Sequence, residues 1–422
     1  MKKIGRYSIG EMIKNLSAIL FCTTIEINII GKYVPFAKGQ YVLLLSLIMM
    51  IIGTALQNEF IIKIKFSKYQ GYLLGVIIFT FCSGLWAIDS NLTNMWGSDF
   101  IGTFLMMYVI YICYRNESTI DTMLKIFMIS GYFVIISSIM YYGIDYFVLI
   151  LKSSEFSISN RLSNDFINAN VLGMRAAYSI LINIYLFLYK KSHVCYLPFS
   201  FLCILIIAFS QSRKAIIIIG IGTFMMILKN MNNKNFISKF WGLIKILIVL
   251  IVLWFVISYV PAFSALNERM QYVVNYFSGR GEVGLSITER SELIKIGKEI
   301  FVHHPILGIG IDNAKLVVLK IMGKKDYYLH NNYWEMLADG GIIGFIIYYW
   351  IYAFILKKMI KFRRLSDGEF VICFTFLILS LILDNAAVSY LSKTTYYKLL
   401  FIFIYCERLT KYDDKNKGKL KC

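Results

Sequence analysis

The residues with most chemistry to offer lie between Ser286 and Gly344. The stretch reads SITERSELIKIGKEIFVHHPILGIGIDN and then, after a short polar segment, YYLHNNYWEMLADGGIIGF. A charged helix, a Gly/Pro turn and a histidine meet there beside a hydrophobic run. His330 opens that run. A neutral imidazole, with a reference pKa of about 6.5, is suited to take a proton from a hydroxyl near neutral pH. Arg290 lies in the first turn of the charged helix, three residues before Leu293, so its position on the wheel faces inward. A guanidinium is a planar, multi-donor fork that stays charged and matches a diphosphate. Of the other histidines, His303 and His304 sit at a helix end, where His commonly meets free carbonyls, and His193 falls in a basic loop and reads as incidental.

Three further arginines have candidate roles. Arg213, in Ser212-Arg213-Lys214, lies between the apolar runs LCILIIAFSQ and AIIIIGIG with almost no loop around it. A cation at that depth snorkels or pairs, so it is either an anchor or an anion site. Arg175 lies about a turn and a half into the run after NDFINAN and expects a partner, for which Glu26 is the most deeply placed acid. Arg161 precedes the same run. Such cations beside one imidazole point to departure of a diphosphate, a leaving group that needs charge balance more than protonation. Zinc would need three or four ligands at suitable spacing, and the sequence has no such set. The eight cysteines include no CxxC. Cys22, Cys82, Cys113, Cys195, Cys203 and Cys373 fall in apolar runs, with Cys406 and Cys422 at the cytoplasmic end, which indicates apolar fillers rather than disulfides.

The elements that must hold these residues are membrane helices. The chain has 422 residues, 58% of them hydrophobic, and a mean hydropathy of +0.64. The excess lies in runs of about 18–22 residues, the length that crosses a bilayer core. Twelve spans are expected, near 14–32, 39–57, 71–88, 97–114, 123–143, 169–189, 195–210, 214–229, 241–260, 332–356, 370–387 and 394–409. The start, MKKIGRYSIGEMIKNLSAILF, resembles a secretory signal, but no small-residue cleavage site follows, so it reads as a retained first span. The net charge of +19 sits in alternate loops, the positive-inside pattern, rather than on one face as a nucleic-acid binder would place it. That pattern puts both termini in the cytoplasm. The long segments 144–168 and 261–331 then lie outside. The expectation is an all-α, polytopic protein forming one membrane domain over 1–422, with 261–331 as a large extracytoplasmic loop. In that loop Ser286 and Glu289 have capping-box spacing. Leu293, Ile296, Ile300 and Phe301 give an amphipathic helix expected to lie on the membrane surface.

Three pieces of this pattern resemble the O-antigen ligase and O-antigen polymerase (Wzy-like) superfamily of bacterial membrane glycosyltransferases. They are RLSNDFINANVLG before the sixth span, SQSRKA, and the ordered set of Arg290, an HP-x-x-G-x-G turn, His-Asn and a Gly-x-x-Gly span. The resemblance implies a GT-C-like, metal-independent enzyme of the bacterial cytoplasmic membrane, without a cofactor, with its site on the extracytoplasmic face. It implies glycans on undecaprenyl diphosphate, the lipid tail lying between spans. Arg213 and Arg290 would hold the diphosphate, assisted by Arg161 or Arg175, and His330 would activate the acceptor hydroxyl for inverting attack at the anomeric carbon. A polymerase of O-antigen, capsule or exopolysaccharide is the leading expectation. An O-antigen ligase acting on lipid A-core and a protein O-glycosyltransferase are variants of it. A flippase and a chain-length regulator are implied partners, and nucleic acid is not. A transporter is the competing class. It would need polar residues converging at mid-membrane and paired broken segments, which the spans do not display.

Overall fold

The computed structural model describes residues 2–26, 39–62, 64–145, 168–190, 197–231, 264–280, 285–324, 327–363 and 367–419, with residues 148, 244, 255 and 259 standing singly between them. Among these, all regular structure is helical. The fourteen helices are α1 (Lys2–Glu26), α2 (Gly39–Gln57), α3 (Lys68–Ser83), α4 (Ser90–Tyr114), α5 (Asp121–Tyr142), α6 (Ala169–Lys190), α7 (Leu197–Ser210), α8 (Arg213–Met231), α9 (Ser264–Ser278), α10 (Leu285–His303), α11 (Ala314–Met322), α12 (Asn332–Lys361), α13 (Gly368–Leu383) and α14 (Lys393–Lys419). Helices occupy eleven of the twelve positions expected for spans, and the twelfth, 241–260, lies outside the described residues apart from three single positions. Helices α4, α5, α6 and α12 are long and apolar enough to cross a membrane. Their outward faces carry large apolar side chains, among them Phe133, Met140 and Phe187. Such a surface is stable against lipid and not against water.

The residues fall into two compact units. One comprises Met1–Gly53, Thr119–Gly284 and Leu365–Leu379. Its centre is α6, which packs against α5, α7 and α8, while α1 packs on α5. Tyr178 of α6 fits between Phe127 and Phe376, with ring centroids 6.2 and 4.9 Å away. The basic end of α6 is tied by Lys190, whose ammonium lies 2.7 Å from Asp121 and 3.5 Å from Glu369.

The other unit comprises Thr54–Ser118, Leu285–Arg364 and Ser380–Cys422. Its organising feature is a break in α12 at Gly341, whose φ of 59° and ψ of −164° belong to glycine almost exclusively. A break strands carbonyls on one side and N–H groups on the other. The HP-x-x-G-x-G turn satisfies both. The N–H groups of Ile309 and Gly310 donate to the carbonyls of Ala338 and Asp339, at 3.0 and 2.9 Å. In return Ile342 and Ile343 donate to the carbonyls of Pro305 and Ile306, at 2.9 and 3.2 Å. The turn and the glycine pair, 31 residues apart at Gly310 and Gly341, are therefore one structural device.

One expectation about α10 changes. Its apolar residues Leu293, Ile296 and Ile300 are covered by Ile309, Val318, Leu329 and Ala338 of the same unit. The amphipathic face thus packs on protein rather than lying on lipid, because α11 and α12 supply the apolar cover. The helix starts at Leu285, so its N-cap falls outside the described residues. The capping-box expectation rests on the Ser286 side chain, which lies outside those described, and Glu289 pairs with Lys324 at 2.5 Å.

Candidate functional site

His330 occupies the left-handed backbone region, with φ 57°. Histidine tolerates that region better than most residues, and the chain on either side is clamped. Leu329 N–H donates to the Glu335 carboxylate at 2.6 Å. Asn331 is the N-cap of α12, its side-chain oxygen accepting from Tyr333 and Trp334 N–H at 3.0 and 3.2 Å. Asn332 does not cap. Its side-chain oxygen accepts from Ser389 and Tyr390 N–H at 2.7 and 3.0 Å, and its own N–H donates to the Asp384 carbonyl at 2.7 Å. The His-Asn-Asn run therefore joins α12 to the 384–390 loop and leaves the imidazole at the junction.

Arg290 approaches from α10. That helix comes close because Gly297 has no side chain: a Cβ there would stand 2.5 Å from Leu329. Arg290 is partly buried, and burial pulls its pKa below the usual arginine value. Among the described residues its guanidinium has no carboxylate in ion-pair range. A half-buried cation without an acid favours an incoming anion. Tyr328 links the two. Its ring centroid lies 4.1 Å from that of His330. Burial raises the pKa of its hydroxyl, while Arg290, close enough for the charges to interact, opposes that rise and Glu335 adds to it. Arg290, Tyr328 and His330 thus form one cluster, with Tyr327 packed edge-on at 6.4 Å from the imidazole.

Tyr328 and Glu335 carry parts of this cluster that sequence reasoning missed. Tyr328 stands two residues before His330 in YYLHNN, and only that proximity could have flagged it. Removing its hydroxyl in Tyr328→Phe keeps the ring against the imidazole and should lower turnover less than tenfold. Tyr328→Ala removes the support as well and should cost at least a further tenfold. Initial rates of the two purified variants check this, and equal rates for both would mean that the ring holds nothing.

Arg213, Arg175, Arg161 and His193 belong to the other unit. Arg213 begins α8 immediately after a buried polar turn, Ser210-Gln211-Ser212, with Gln211 at φ 50°. Its guanidinium donates to the Arg269 carbonyl at 3.3 Å, and Arg269 donates to the Gln211 carbonyl at 3.1 Å. The start of α8 and α9 are thereby joined by two reciprocal guanidinium–carbonyl bonds. Arg269 of α9 was not singled out from the sequence, since nothing in ALNERMQ marks it beyond its place in the long loop. Arg175 is buried within α6. It donates to the Cys22 carbonyl at 2.9 Å and lies over the Phe127 ring at 4.0 Å. Its observed partners are thus a helix carbonyl and a ring, while the side chain of Glu26 is not among those described. Arg161 and His193 lie outside the described residues. His303 Nδ1 donates to the Glu299 carbonyl, 2.8 Å away, and the residue is exposed, as its helix-end position suggested. Asp312 and Asp339 are structural. Trp96 donates to Asp312 at 2.5 Å, while Ala314 N–H and Tyr390 OH donate to the two Asp339 oxygens at 2.7 and 2.8 Å. Among the described residues no three His, Cys, Asp or Glu side chains are grouped as metal ligands.

The chain thus combines helices long and apolar enough to cross a membrane with an arginine–tyrosine–histidine cluster beside a broken helix. Residues 198–349 match the family model Wzy_C, described as O-antigen ligase. The match takes in Arg213, Arg269, Arg290, Tyr328 and His330, and ends within α12. No curated protein matches the chain.

Proposed function

We propose that the protein is a polysaccharide polymerase. It transfers a glycan from undecaprenyl diphosphate to a hydroxyl of a second lipid-linked repeat unit, on the extracytoplasmic face of the bacterial cytoplasmic membrane, with both termini cytoplasmic. The observation that carries this reading is the contact of Tyr328 with His330 beside Arg290, a cation that meets no carboxylate among the described residues. His330 removes the acceptor hydroxyl proton. The oxygen attacks the anomeric carbon from the face opposite the diphosphate, the bond to the diphosphate breaks, and its electron pair leaves with that group. Arg290 balances the charge that develops. Within the other unit, Arg213, Arg161 and Arg175 are proposed as anion ligands in their own right, and Arg269 joins them through its hydrogen bond with Arg213. No metal enters this scheme. A flippase would supply the donor, and a chain-length regulator would act on the product.

The break in α12 argues against transport. A half-helix ion site leaves backbone groups free for its ligand, whereas here the 305–310 turn occupies them.

The family description favours a second reading, an O-antigen ligase transferring the finished glycan to lipid A-core. Deleting the gene and separating the surface glycan by electrophoresis distinguishes the two. A polymerase predicts loss of the ladder with single repeat units retained. Long chains that accumulate without reaching lipid A-core would identify a ligase.

A further inference from the structure

At the far end of α12 from His330, a cavity of about 300 Å³ is walled by Phe354 and Phe403 and ringed by Lys65, Lys68, Lys358 and Lys411. Lys358 lies sixteen residues past Ile342, about 24 Å along the axis at 1.5 Å per residue. The post-break part of α12 therefore lies between the cavity and the Arg290–His330 cluster. Among the described residues none of the four lysines meets a carboxylate. Lys68 and Lys358 lie over the Phe354 ring at 5.3 and 5.9 Å, and Lys358 also donates to Thr410 at 3.2 Å. The acid in the wall, Glu407, accepts from Tyr111 at 2.9 Å. Four cations with no acid of their own are arranged for an anion.

The segment leading into the cavity identifies the carrier of that anion. Ile61, Ile64 and Phe66 are 65%, 79% and 56% exposed, and they alternate with the lysines before α3. Large apolar side chains exposed between cations suit the boundary between headgroups and acyl chains, with the side chains in the hydrocarbon and the ammonium groups at the phosphates. A free phosphate would need the lysines and would gain nothing from Ile64 and Phe66.

We infer that this cavity is a binding site for an anionic phospholipid, its phosphate held by Lys65, Lys68 and Lys358 and its acyl chains running past Phe66. The site is separate from the transfer chemistry and does not depend on it.

The test is native mass spectrometry of the full-length protein, purified in detergent and supplied with dioleoyl phosphatidylglycerol or dioleoyl phosphatidylcholine. The wild type should retain phosphatidylglycerol at least tenfold more strongly than phosphatidylcholine. The K65Q/K68Q/K358Q variant should lose that preference. A variant with the same charge loss elsewhere, K295Q/K298Q/K320Q, should keep it. Lys65→Glu alone, at an exposed position, serves should the triple variant fail to fold, and it should weaken retention several-fold. Equal retention of phosphatidylglycerol by wild type, triple variant and Lys65→Glu would overturn the site. Displacement of the lipid by millimolar inorganic phosphate would overturn the lipid assignment in favour of a simple phosphate site.

Discussion

Cells carrying His330→Ala or Arg290→Ala in place of the wild-type protein should make no polymer while holding normal amounts of the protein. The two losses have different physical origins. Without the imidazole the acceptor hydroxyl must lose its proton to water, and a positioned general base is worth on the order of 10²–10⁴ in rate. Without the guanidinium the departing diphosphate faces a half-buried pocket with its charge uncompensated, and a lost charge-stabilising donor costs about 10²–10³. Arg290→Lys should fail almost as badly, since an ammonium offers one point charge where the fork offers parallel donors. Neither substitution touches the backbone hydrogen bonds that close the break in α12, so the protein should remain at its normal level. The surface glycan and an immunoblot of the membrane fraction, read together, check this. Full polymer in any of the three variants would remove that residue from the chemistry.

The second large effect is expected from the break in α12. A Cβ on Gly341 would stand 2.3 Å from the Ile306 carbonyl oxygen, and one on Gly308 would stand 2.4 Å from the backbone of Asp339. Both glycines also have positive φ, 59° and 66°. In Gly341→Ala or Gly308→Ala the side chain meets backbone, which cannot swing aside as a flexible side chain can. Relief requires the 305–310 turn to withdraw from α12, which frees the hydrogen bonds at Ala338, Asp339, Ile342 and Ile343. The backbone strain alone is on the order of 1–3 kcal/mol, and each hydrogen bond left unmade among apolar neighbours adds about 1 kcal/mol or more. Gly323→Ala is the control. It shares a φ of 66° but has nothing within 4 Å of the added carbon, so only the left-handed backbone counts, about 1–2 kcal/mol. Thermal unfolding in detergent should therefore fall much further for Gly341→Ala and Gly308→Ala than for Gly323→Ala. Similar shifts in all three would mean that the turn does not plug the break.

The helices were legible because long apolar runs and lysine-rich loops repeat along the chain, as at α2, which the sequence bounded at 39–57 and the structure at Gly39–Gln57. The order of Arg290, the HP-x-x-G-x-G turn, His330 and the glycine pair was legible too. Its meaning was not, because a glycine pair inside an apolar run looks the same whether the helix continues or breaks. The break declares itself only when carbonyls at 338–339 find donors at 309–310. The use of Asn332 was hidden for a related reason. Its partners, Ser389 and Tyr390, are more than fifty residues away, and capping was the local use available. The surface position of α10 failed because hydrophobic periodicity marks a buried face without saying whether lipid or protein covers it. Tyr328 and Arg269 were invisible as isolated residues, since their roles come from a ring contact and from a hydrogen bond reaching another helix.

The most direct measurement of the catalytic assignment is a single-turnover reaction of the purified protein with a synthetic undecaprenyl-diphosphate oligosaccharide, following release of undecaprenyl diphosphate together with the extended glycan. Wild type should form both products in equal amounts with inverted anomeric configuration. His330→Ala and Arg290→Ala should form neither while giving wild-type unfolding temperatures. Undiminished diphosphate release and glycan extension by both variants would contradict the assignment of the Arg290–Tyr328–His330 cluster as the place where the glycan changes hands.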